Sequence, residues 1–357
     1  MADLTFAEHG GWPGVLGRLM EGRDLDREAA RAAMTEILDG AASPAQIAAF
    51  VVALRMKGET VDELLGMVDA MLAASTVVDI DTSGPVIDVV GTGGDRAHTI
   101  NVSTLAALVA AGAGATVCKH GNRAASSACG AADLLEALDV AIELGPDGVA
   151  RCVAEAGIGF CFAPRYHPAM RHAGPARADL GIPTAFNVLG PLCNPGRVRR
   201  ALIGVADQQM AQRMVEVLRA RSIERALIVH GGDGLDELTT TGPSTVLELH
   251  AGAVTGWDVD PTQLGFGLSR REELVGGAPA ENARLAKSVL AGRSGPHRDI
   301  VVLNAGAALL AAGLAEDLPA GIRAAGESLD SGAAAAALAR LVEVSQAEAR
   351  REVGQSR

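Results

Sequence analysis

The feature that most constrains the fold is a change of hydrophobic period at Gly84-Pro85. Beyond it, short apolar runs alternate with longer stretches whose apolar residues recur at helical spacing. This alternation is typical of β-α-β units, in which helices connect parallel strands and cover the sheet. It predicts strands over 86–90, 115–118, 159–162, 201–205 and 225–230, with an added hairpin over 245–249 and 252–259. It predicts helices over 103–111, 133–138, 148–156 and 208–221, and again within 280–344.

The residues before that boundary follow a helical pattern instead. Ser43-Pro44 combines a helix N-cap with a first-turn proline, and Thr60 and Glu63 have the spacing of a capping box. We therefore predict an α/β protein with a small helical N-terminal domain over 1–84. A large α/β domain with a mostly parallel central sheet flanked by helices is predicted over 85–357. Part of a proline-rich stretch at 165–200 is predicted to join the helical domain as a stiff connector.

Composition limits the classes of partner. A net charge of −12 supplies no general attraction for phosphate backbones or anionic membranes, so we expect neither a nucleic acid nor a membrane as partner. Any anionic ligand must then be held by a local basic cluster. The five cysteines are odd in number and form no C-x-x-C pair, which indicates buried, reduced thiols in a cytoplasmic protein. No uncharged apolar run reaches the roughly 18 residues of a membrane span.

The first predicted strand ends in a glycine-rich turn, Gly91-Thr92-Gly93-Gly94-Asp95, which leads into a predicted helix. Backbone N–H groups that converge at a helix start, together with the helix dipole, form an anion site. The spacing matches neither common nucleotide-binding glycine motif, and a plain tight turn remains an alternative. More small polar residues follow than one N-cap requires, which favours phosphate binding: Thr99, Asn101, Ser103 and Thr104.

A second polar cluster follows the next predicted strand. Two cations, Lys119 and Arg123, lie there among the hydrogen-bonding residues His120, Asn122, Ser126 and Ser127. Exposed loops often carry such charges without a function, but open α/β sheets bind ligands where buried strands end. Two such loops on neighbouring strands would suit a substrate with two phosphate groups.

An acidic loop follows the last of the predicted parallel strands. Asp233, Asp236 and Glu237 lie close together in it, between glycines. Either the loop is simply solvated, or its carboxylates share a hard cation such as Mg²⁺, which proteins commonly hold jointly with substrate phosphates. The sequence alone leaves both readings open.

The proline-rich stretch offers one further binding candidate. Arg177 is the best candidate for a carboxylate clamp, because its guanidinium matches a carboxylate in two hydrogen bonds. His167 and His172 have a spacing that a metal pair could use, but no acidic third ligand accompanies them.

Five motifs in this order resemble the anthranilate phosphoribosyltransferase family: GTGGD…T.N.ST, KHGNR..SS, FAP.YHPAM, FN.LGPL.NP and VHG.DGLDE. The likeness runs from AQ..AF..ALR.KGET at 45–60 to GG..AENA and LNAGAAL near the end of the chain. The resemblance implies transfer of the phosphoribosyl group from 5-phosphoribosyl 1-diphosphate to anthranilate in tryptophan biosynthesis. It also implies a homodimer formed through the helical region, where short helices carry apolar stripes. A nucleoside phosphorylase of the same fold is the alternative.

The resemblance also implies roles for particular residues. The site for phosphoribosyl diphosphate would comprise Gly91, Gly94, Asp95, Thr99, Asn101, Val102, Ser103, Thr104, Lys119, His120, Gly121, Asn122, Arg123, Ala124, Ala125, Ser126, Ser127 and Ala131. Anthranilate would contact Gly91, Asn122, His167 and Arg177. The cofactor Mg²⁺ would be bound by Ser103, Asp236 and Glu237. The residues implied in catalysis are Lys119, Asn122 and Arg177.

Two positions depart from the family pattern. The family commonly has a serine where this chain has Ala131, so a hydroxyl near the diphosphate is missing. Pro183 stands where an arginine is usual. The first departure puts a direct role for Ala131 in doubt without excluding the reaction.

Overall fold

The computed structural model describes residues 5–82, 84–124 and 128–355. The chain divides into two compact units. The helical unit contains Met1–Thr76 and Ala163–Pro195, and the α/β unit contains Val77–Phe162 and Gly196–Arg357.

Within the described ranges the chain forms helices and strands in the following order. The α-helices are α1 Gly11–Met20, α2 Arg27–Leu38, α3 Pro44–Lys57, α4 Val61–Ala73, α5 Val102–Gly112, α6 Ala131–Ala137, α7 Pro146–Ala156, α8 Ala163–Tyr166, α9 Gly174–Leu180, α10 Phe186–Leu192, α11 Gln208–Ala220, α12 Pro279–Leu290, α13 Pro296–Ala312, α14 Leu318–Asp330 and α15 Ala333–Gln355. Short 3-10 helices cover Pro168–His172, Pro261–Leu264 and Arg271–Glu273. The strands are β1 Val86–Gly91, β2 Thr116–Gly121, β3 Ile158–Phe162, β4 Arg200–Gly204, β5 Arg225–Gly231, β6 Ser244–His250 and β7 Ala253–Val259.

Helices α3 and α4 of the helical unit begin at the positions that the capping patterns predict. The Ser43 hydroxyl accepts the N–H of Gln46 at 3.3 Å at the start of α3. At the start of α4, Thr60 and Glu63 form the predicted reciprocal capping box. These caps satisfy N–H groups that a helix start would otherwise leave unpaired.

The proline-rich stretch differs from the stiff connector that its composition predicts. Residues 163–195 fold into α8, a 3-10 helix, α9 and α10 and belong to the helical unit. The physical reason is the position of the prolines. Pro168 and Pro175 occupy first turns, where a helix needs no N–H from them and where the fixed φ of proline suits the helix.

One seven-stranded sheet, in the order β3-β2-β1-β4-β5-β6-β7, forms the centre of the α/β unit as described. The strands β1 to β5 are parallel, and β6 and β7 add an antiparallel hairpin at one edge. Each predicted strand is present. The largest difference lies in β2, which ends at Gly121 rather than at Cys118, so that Lys119 and His120 are strand residues and are buried.

Helices flank this sheet and complete an aliphatic core. Helices α5 and α13 pack against β1, and α11 packs against β5 and β6. Small residues let helices approach closely: a Cβ on Gly306 of α13 would lie 2.7 Å from the backbone nitrogen of Ile322 in α14. The five cysteines are buried, reduced thiols, as predicted. In the described part of the chain, no helix is both long enough and apolar enough to cross a membrane.

The strand order places a topological switch point between β1 and β4. From β1 the chain moves outward to β2 and β3, and it then returns to form β4 and β5 on the other side of β1. Open α/β sheets bind ligands outside the carboxyl ends of strands at such a point. Gly91 at the end of β1 pairs with Gly204 at the end of β4, and these two residues mark the place.

Candidate functional site

The glycine-rich turn after β1 contains two kinds of glycine. Gly93 and Gly94 have φ values of 66° and 85°, in the left-handed region that favours glycine, and a Cβ on either would meet nothing within 4 Å. These two residues serve the shape of the turn. Gly91 serves close packing instead, because a Cβ there would lie 2.3 Å from Oδ2 of Asp236. The group that comes close to this backbone is therefore the Asp236 carboxylate.

Gly204 completes the surface on which Asp236 lies. A Cβ on Gly204 would lie 1.5 Å from the carbonyl oxygen of Asp236, so no larger residue fits without moving that backbone. The resemblance includes Gly91 but not Gly204. The only signal in the sequence is a glycine that ends an apolar strand, which does not distinguish a close approach from an ordinary strand end.

Two of the three carboxylates of the acidic loop, those of Asp236 and Glu237, accept hydrogen bonds from backbone N–H groups at the switch point. The Gly93 N–H donates to Oδ2 of Asp236 at 2.6 Å, and the Ser103 N–H in the first turn of α5 donates to Oε1 of Glu237 at 3.1 Å. The side chain of Asn101, at the N-cap of α5, makes no capping bond. The turn and the helix start thus have the predicted geometry of an anion site, and carboxylates of the chain itself bind there in this structure.

Lys119 lies buried beside these carboxylates. Its Nζ donates to the carbonyl oxygen of Val89 and lies 3.4 Å from the Ser103 hydroxyl. Burial lowers the pKa of Lys119, and attraction to Asp88, Glu237 and Asp236 opposes that shift. The Lys119 ammonium therefore lies among the carboxylates of Asp88, Asp236 and Glu237.

Asp88 is a buried carboxylate in β1 that the sequence analysis missed. It accepts the N–H of His120 at 3.1 Å and is the largest contributor among the carboxylates that favour protonated Lys119. An acidic residue inside the apolar run Val86–Val90 was the available signal, since buried charges are rare unless they are paired.

The electrostatics of Asp236 and Glu237 favour a bound cation. Burial, with repulsion from Asp95, raises the pKa of Asp236 to about 7. Burial, with repulsion from Asp236, raises the pKa of Glu237 well above its usual range. A divalent cation would stabilise both carboxylates in their charged form, and with the Ser103 hydroxyl they supply the oxygen donors that Mg²⁺ prefers. The residues present therefore fit this ion.

The protein alone offers an incomplete set of metal ligands. In the parts of the chain that the structure describes, no group of three or more His, Cys, Asp or Glu side chains is placed to hold a metal ion. Mg²⁺ is usually bound through one or two carboxylates, with substrate phosphates and water as the other ligands. The arrangement fits an ion that arrives with, or is shared by, a phosphate substrate.

Asp233 belongs to the same loop but has a different role, since its hydrogen bonds lie within the loop. Its carboxylate accepts hydrogen bonds from the hydroxyls of Thr239 at 3.1 Å and Thr241 at 2.7 Å, and from the N–H of Leu235 at 3.3 Å. These bonds shape the loop between β5 and β6. The three neighbouring carboxylates thus separate into one loop-forming residue and two residues at the switch point.

The four small polar residues near α5 also make different contacts. The Asn101 amide donates to the carbonyl of Cys129 at 2.9 Å and accepts from the amide of Asn282, also at 2.9 Å. Thr99 forms a β-bridge to Val275, and Thr104 is buried. Ser103 is the one that lies against both Lys119 and Glu237. Asn282, from the GG..AENA motif, is a neighbour of this cluster that the sequence analysis did not single out.

The second polar cluster separates into a buried and an exposed part. Arg123 lies in the exposed part, where it pairs with Asp133 at 3.0 Å and with Glu136, and lies over the ring of Phe162. These carboxylates raise its pKa. Asn122 accepts the Arg123 N–H at 2.7 Å, and the Ala124 N–H donates to Asp133. Ala125, Ser126 and Ser127, which the resemblance also implies in binding, lie outside the described residues.

His167 and Arg177 lie in the helical unit. The His167 ring is buried, and its Nε2 is 3.0 Å from the carbonyl oxygen of Cys193, to which it donates. Burial lowers the pKa of His167 to about 4, so the ring is neutral at physiological pH. The imidazole bond to a carbonyl leaves no role for this nitrogen in a metal pair with His172.

Arg177 lies half-buried against an aromatic ring. Its guanidinium lies over the ring of Phe186, 5.6 Å from the ring centre, and burial lowers its pKa. Among the described residues no carboxylate forms an ion pair with it. A half-buried arginine without an acidic partner is costly unless a ligand supplies one.

Comparison with known proteins agrees with the resemblance. The model of the glycosyl transferase family a/b domain matches residues 83–335, and that of the same family's helical bundle domain matches 13–75. Anthranilate phosphoribosyltransferase from Chloroflexus aggregans is 52% identical over 92% of this chain and 96% of that relative. The chain belongs to the anthranilate phosphoribosyltransferase family. The Rhodococcus jostii member is 53% identical over 93% of both chains.

Solved structures of the family have the same fold. The anthranilate phosphoribosyltransferase from Thermus thermophilus has a TM-score of 0.87 and 42% identity, covering 93% of this chain and 99% of that one. The enzyme from Saccharomyces cerevisiae, in complex with PRPP and Mg, has a TM-score of 0.84 and 28% identity, covering 94% and 98%.

The two departures from the family pattern have different surroundings. Ala131, at the start of α6, packs beside β2: its Cβ lies 3.2 Å from the position that a Cβ on Gly121 would take. Pro183 is exposed in the loop between α9 and α10. Ala131 therefore remains close to the end of a site strand although it lacks the hydroxyl.

Proposed function

We propose that this chain transfers the phosphoribosyl group of 5-phosphoribosyl 1-diphosphate to anthranilate, giving N-(5-phosphoribosyl)anthranilate and diphosphate, as a cytoplasmic enzyme of tryptophan biosynthesis. The observation that carries the proposal is the likeness to named family members along nearly the whole of both chains. The arrangement at the switch point supports it, because backbone N–H groups, a lysine and two carboxylates suited to a cation meet there. The nucleoside phosphorylase alternative has no such support.

The α/β unit must stabilise the negative charge of the leaving group, diphosphate. Breaking the bond from ribose to diphosphate builds positive charge on the sugar and negative charge on the departing diphosphate. Asp236, Glu237 and Ser103 would hold Mg²⁺, which neutralises that negative charge when bound. The N–H groups of Gly93 and of Ser103 at the α5 start would hold these two carboxylates in place, and Lys119 would add a fixed positive charge beside the departing diphosphate.

The acceptor requires orientation rather than a strong base. The anthranilate nitrogen is an arylamine that attacks in its neutral form, so no general base with a tuned pKa is needed. Arg177 would bind the anthranilate carboxylate, with Asn122, His167 and Gly91 as further contacts. Holding the amine in line with the sugar carbon supplies much of the remaining rate enhancement.

An activity assay tests the proposal directly. The full chain is incubated with anthranilate, 5-phosphoribosyl 1-diphosphate and Mg²⁺, and the loss of anthranilate fluorescence is followed. We expect turnover that requires all three components. Phosphate-dependent cleavage of a nucleoside, without loss of anthranilate fluorescence, would instead establish the phosphorylase alternative.

Replacing Arg177 by Lys tests the acceptor contact. A lysine keeps the charge but loses the paired hydrogen bonds, so we expect the KM for anthranilate to rise about 10- to 100-fold. The KM for 5-phosphoribosyl 1-diphosphate should change little. Steady-state kinetics with each substrate varied in turn gives both values, and equal rises in both would remove Arg177 from this role.

We also propose that the enzyme is a homodimer joined through the helical unit. Met20 at the end of α1 and Met56 near the end of α3 are 82% and 84% exposed, and α1 packs against α3. Exposed large apolar residues on one small unit favour association. We expect a dimer mass by light scattering at micromolar concentration. Met20→Asp with Met56→Asp should weaken the dimer, whereas Leu268→Asp, an exposed position of the α/β unit, should not; a monomeric parent protein would contradict the proposal.

A further inference from the structure

Asn304 in the middle of α13 holds the backbone of a single residue in a distant loop. Its Oδ1 accepts the N–H of Leu238 at 2.9 Å, and its Nδ2 donates to the carbonyl oxygen of the same residue at 2.8 Å. A third bond runs from Nδ2 to the carbonyl of Ile300, one turn earlier in α13, at 2.9 Å. The side-chain amide therefore pairs with both polar groups of Leu238.

An asparagine is an unusual choice at this position. Asn304 is 0% exposed, and α13 is buried from Ile300 to Ala312. Asparagine favours helices less than alanine or leucine, and a buried amide is costly unless its hydrogen bonds are made. The requirement for an amide must come from the loop that it contacts.

Leu238 directly follows the two carboxylates of the switch point. Residues 232–243 lie between β5 and β6, so no strand partner fixes this backbone. On its other side, Asp236 rests directly against Gly91 and Gly204. The segment from Asp236 to Leu238 is thus held at one end by the sheet and at the other by Asn304.

We propose that Asn304 is a positioning residue for the metal site: by fixing the Leu238 backbone it sets where the Glu237 and Asp236 carboxylates stand. The inference rests on the proposed function, in which those carboxylates hold Mg²⁺. A metal site depends on ligand placement to a fraction of an ångström, and groups that orient ligands typically change metal affinity about 10- to 100-fold when removed.

A purely structural role would differ in what it affects. An amide that only satisfies a buried loop would lower stability on removal and leave metal affinity unchanged. A positioning residue should weaken metal binding as well. Metal affinity, measured apart from turnover, therefore separates the two roles.

The experiment compares Asn304→Leu with Ser345→Ala in the full chain. Leucine preserves volume and removes all three bonds. Ser345 is a matched control, because it too is fully buried and its hydroxyl accepts a distant backbone N–H, that of Ala141 at 3.1 Å. Mn²⁺, as a paramagnetic probe of the Mg²⁺ site, is titrated into each protein saturated with 5-phosphoribosyl 1-diphosphate, with free Mn²⁺ measured by electron paramagnetic resonance. Thermal melts report stability.

We expect Asn304→Leu to weaken Mn²⁺ binding about tenfold and Ser345→Ala to leave it unchanged, even where both lower the melting temperature. Parental affinity in Asn304→Leu would overturn the inference. If the leucine variant does not fold, Asn304→Asp, which keeps the acceptor for Leu238 and loses both donors, should show the same weakening. A parent protein that binds no Mn²⁺ with this substrate would instead contradict the proposed function.

Discussion

Replacing Asp236 by Asn and Glu237 by Gln in one variant is expected to reduce turnover at least about 100-fold while making the protein more stable near neutral pH. Both carboxylates are buried, and burial raises the pKa of each. The amide side chains of Asn and Gln keep nearly the same shape as the carboxylates and remove two negative charges. The burial of those charges without a cation destabilises the folded protein. Loss of activity with a gain in stability is typical of residues retained for function.

The gain should depend on pH. A carboxylate whose pKa is raised in the folded state binds its proton more tightly there than in the unfolded chain. Its contribution to stability is therefore present at low pH and is lost as pH rises through the folded pKa, which is about 7 for Asp236. The increase in melting temperature of the variant over the parent should thus be small at a pH near the usual carboxylate pKa and should grow toward pH 8.

Asp233→Asn is the matched control for this variant. It also removes one charge from the loop, but Asp233 binds the hydroxyls of Thr239 and Thr241. We expect a lower melting temperature and an unchanged Mg²⁺ concentration at half-maximal rate. A Mg²⁺ titration of the double variant that superimposes on the parent's would contradict a role as metal ligands, and the two buried carboxylates would then be structural.

The sequence predicts the order of strands and helices well because each follows from local period and capping. The β-α-β alternation, the hairpin and the capping box of α4 are all confirmed. Local signals fail where tertiary packing decides. Lys119 and His120 are polar, so the pattern predicts that the strand ends before them. β2 nevertheless continues through both, because the Lys119 ammonium donates to the carbonyl of Val89 and the His120 N–H donates to Asp88 inside the core.

The residues of the candidate site can be predicted from the family motifs, but their three-dimensional arrangement cannot. The family resemblance implies that Asp236, Glu237 and Ser103 form one group, and the fold brings them to the same strand ends. It cannot show that Gly204 and Asn304 hold this segment, because neither residue is near it in sequence. It also cannot separate Asp233 from its neighbours, since the hydroxyls that bind it follow in the chain as ordinary loop residues.

The two cations of the KHGNR motif are expected to differ in importance. Lys119 is buried beside Ser103 and the carboxylates, whereas Arg123 is 44% exposed and pairs with Asp133 and Glu136. Methionine replaces either side chain with similar length and no charge. We expect Lys119→Met to lower kcat/KM for 5-phosphoribosyl 1-diphosphate about 100- to 1,000-fold, because a fixed positive charge in a site shielded from water stabilises the departing diphosphate.

Arg123→Met should lower the same constant less than about fivefold, since exposed ion pairs are screened by water and contribute little. Each variant is assayed at saturating anthranilate and Mg²⁺, with circular dichroism to confirm the fold. Loss of the Lys119 ammonium also removes a positive charge that interacts with Glu237 and Asp236 and would repel Mg²⁺, so this variant should need no more Mg²⁺ than the parent for half-maximal rate. A larger loss in Arg123→Met than in Lys119→Met would reverse the assignment and make the exposed guanidinium the cation that the diphosphate meets.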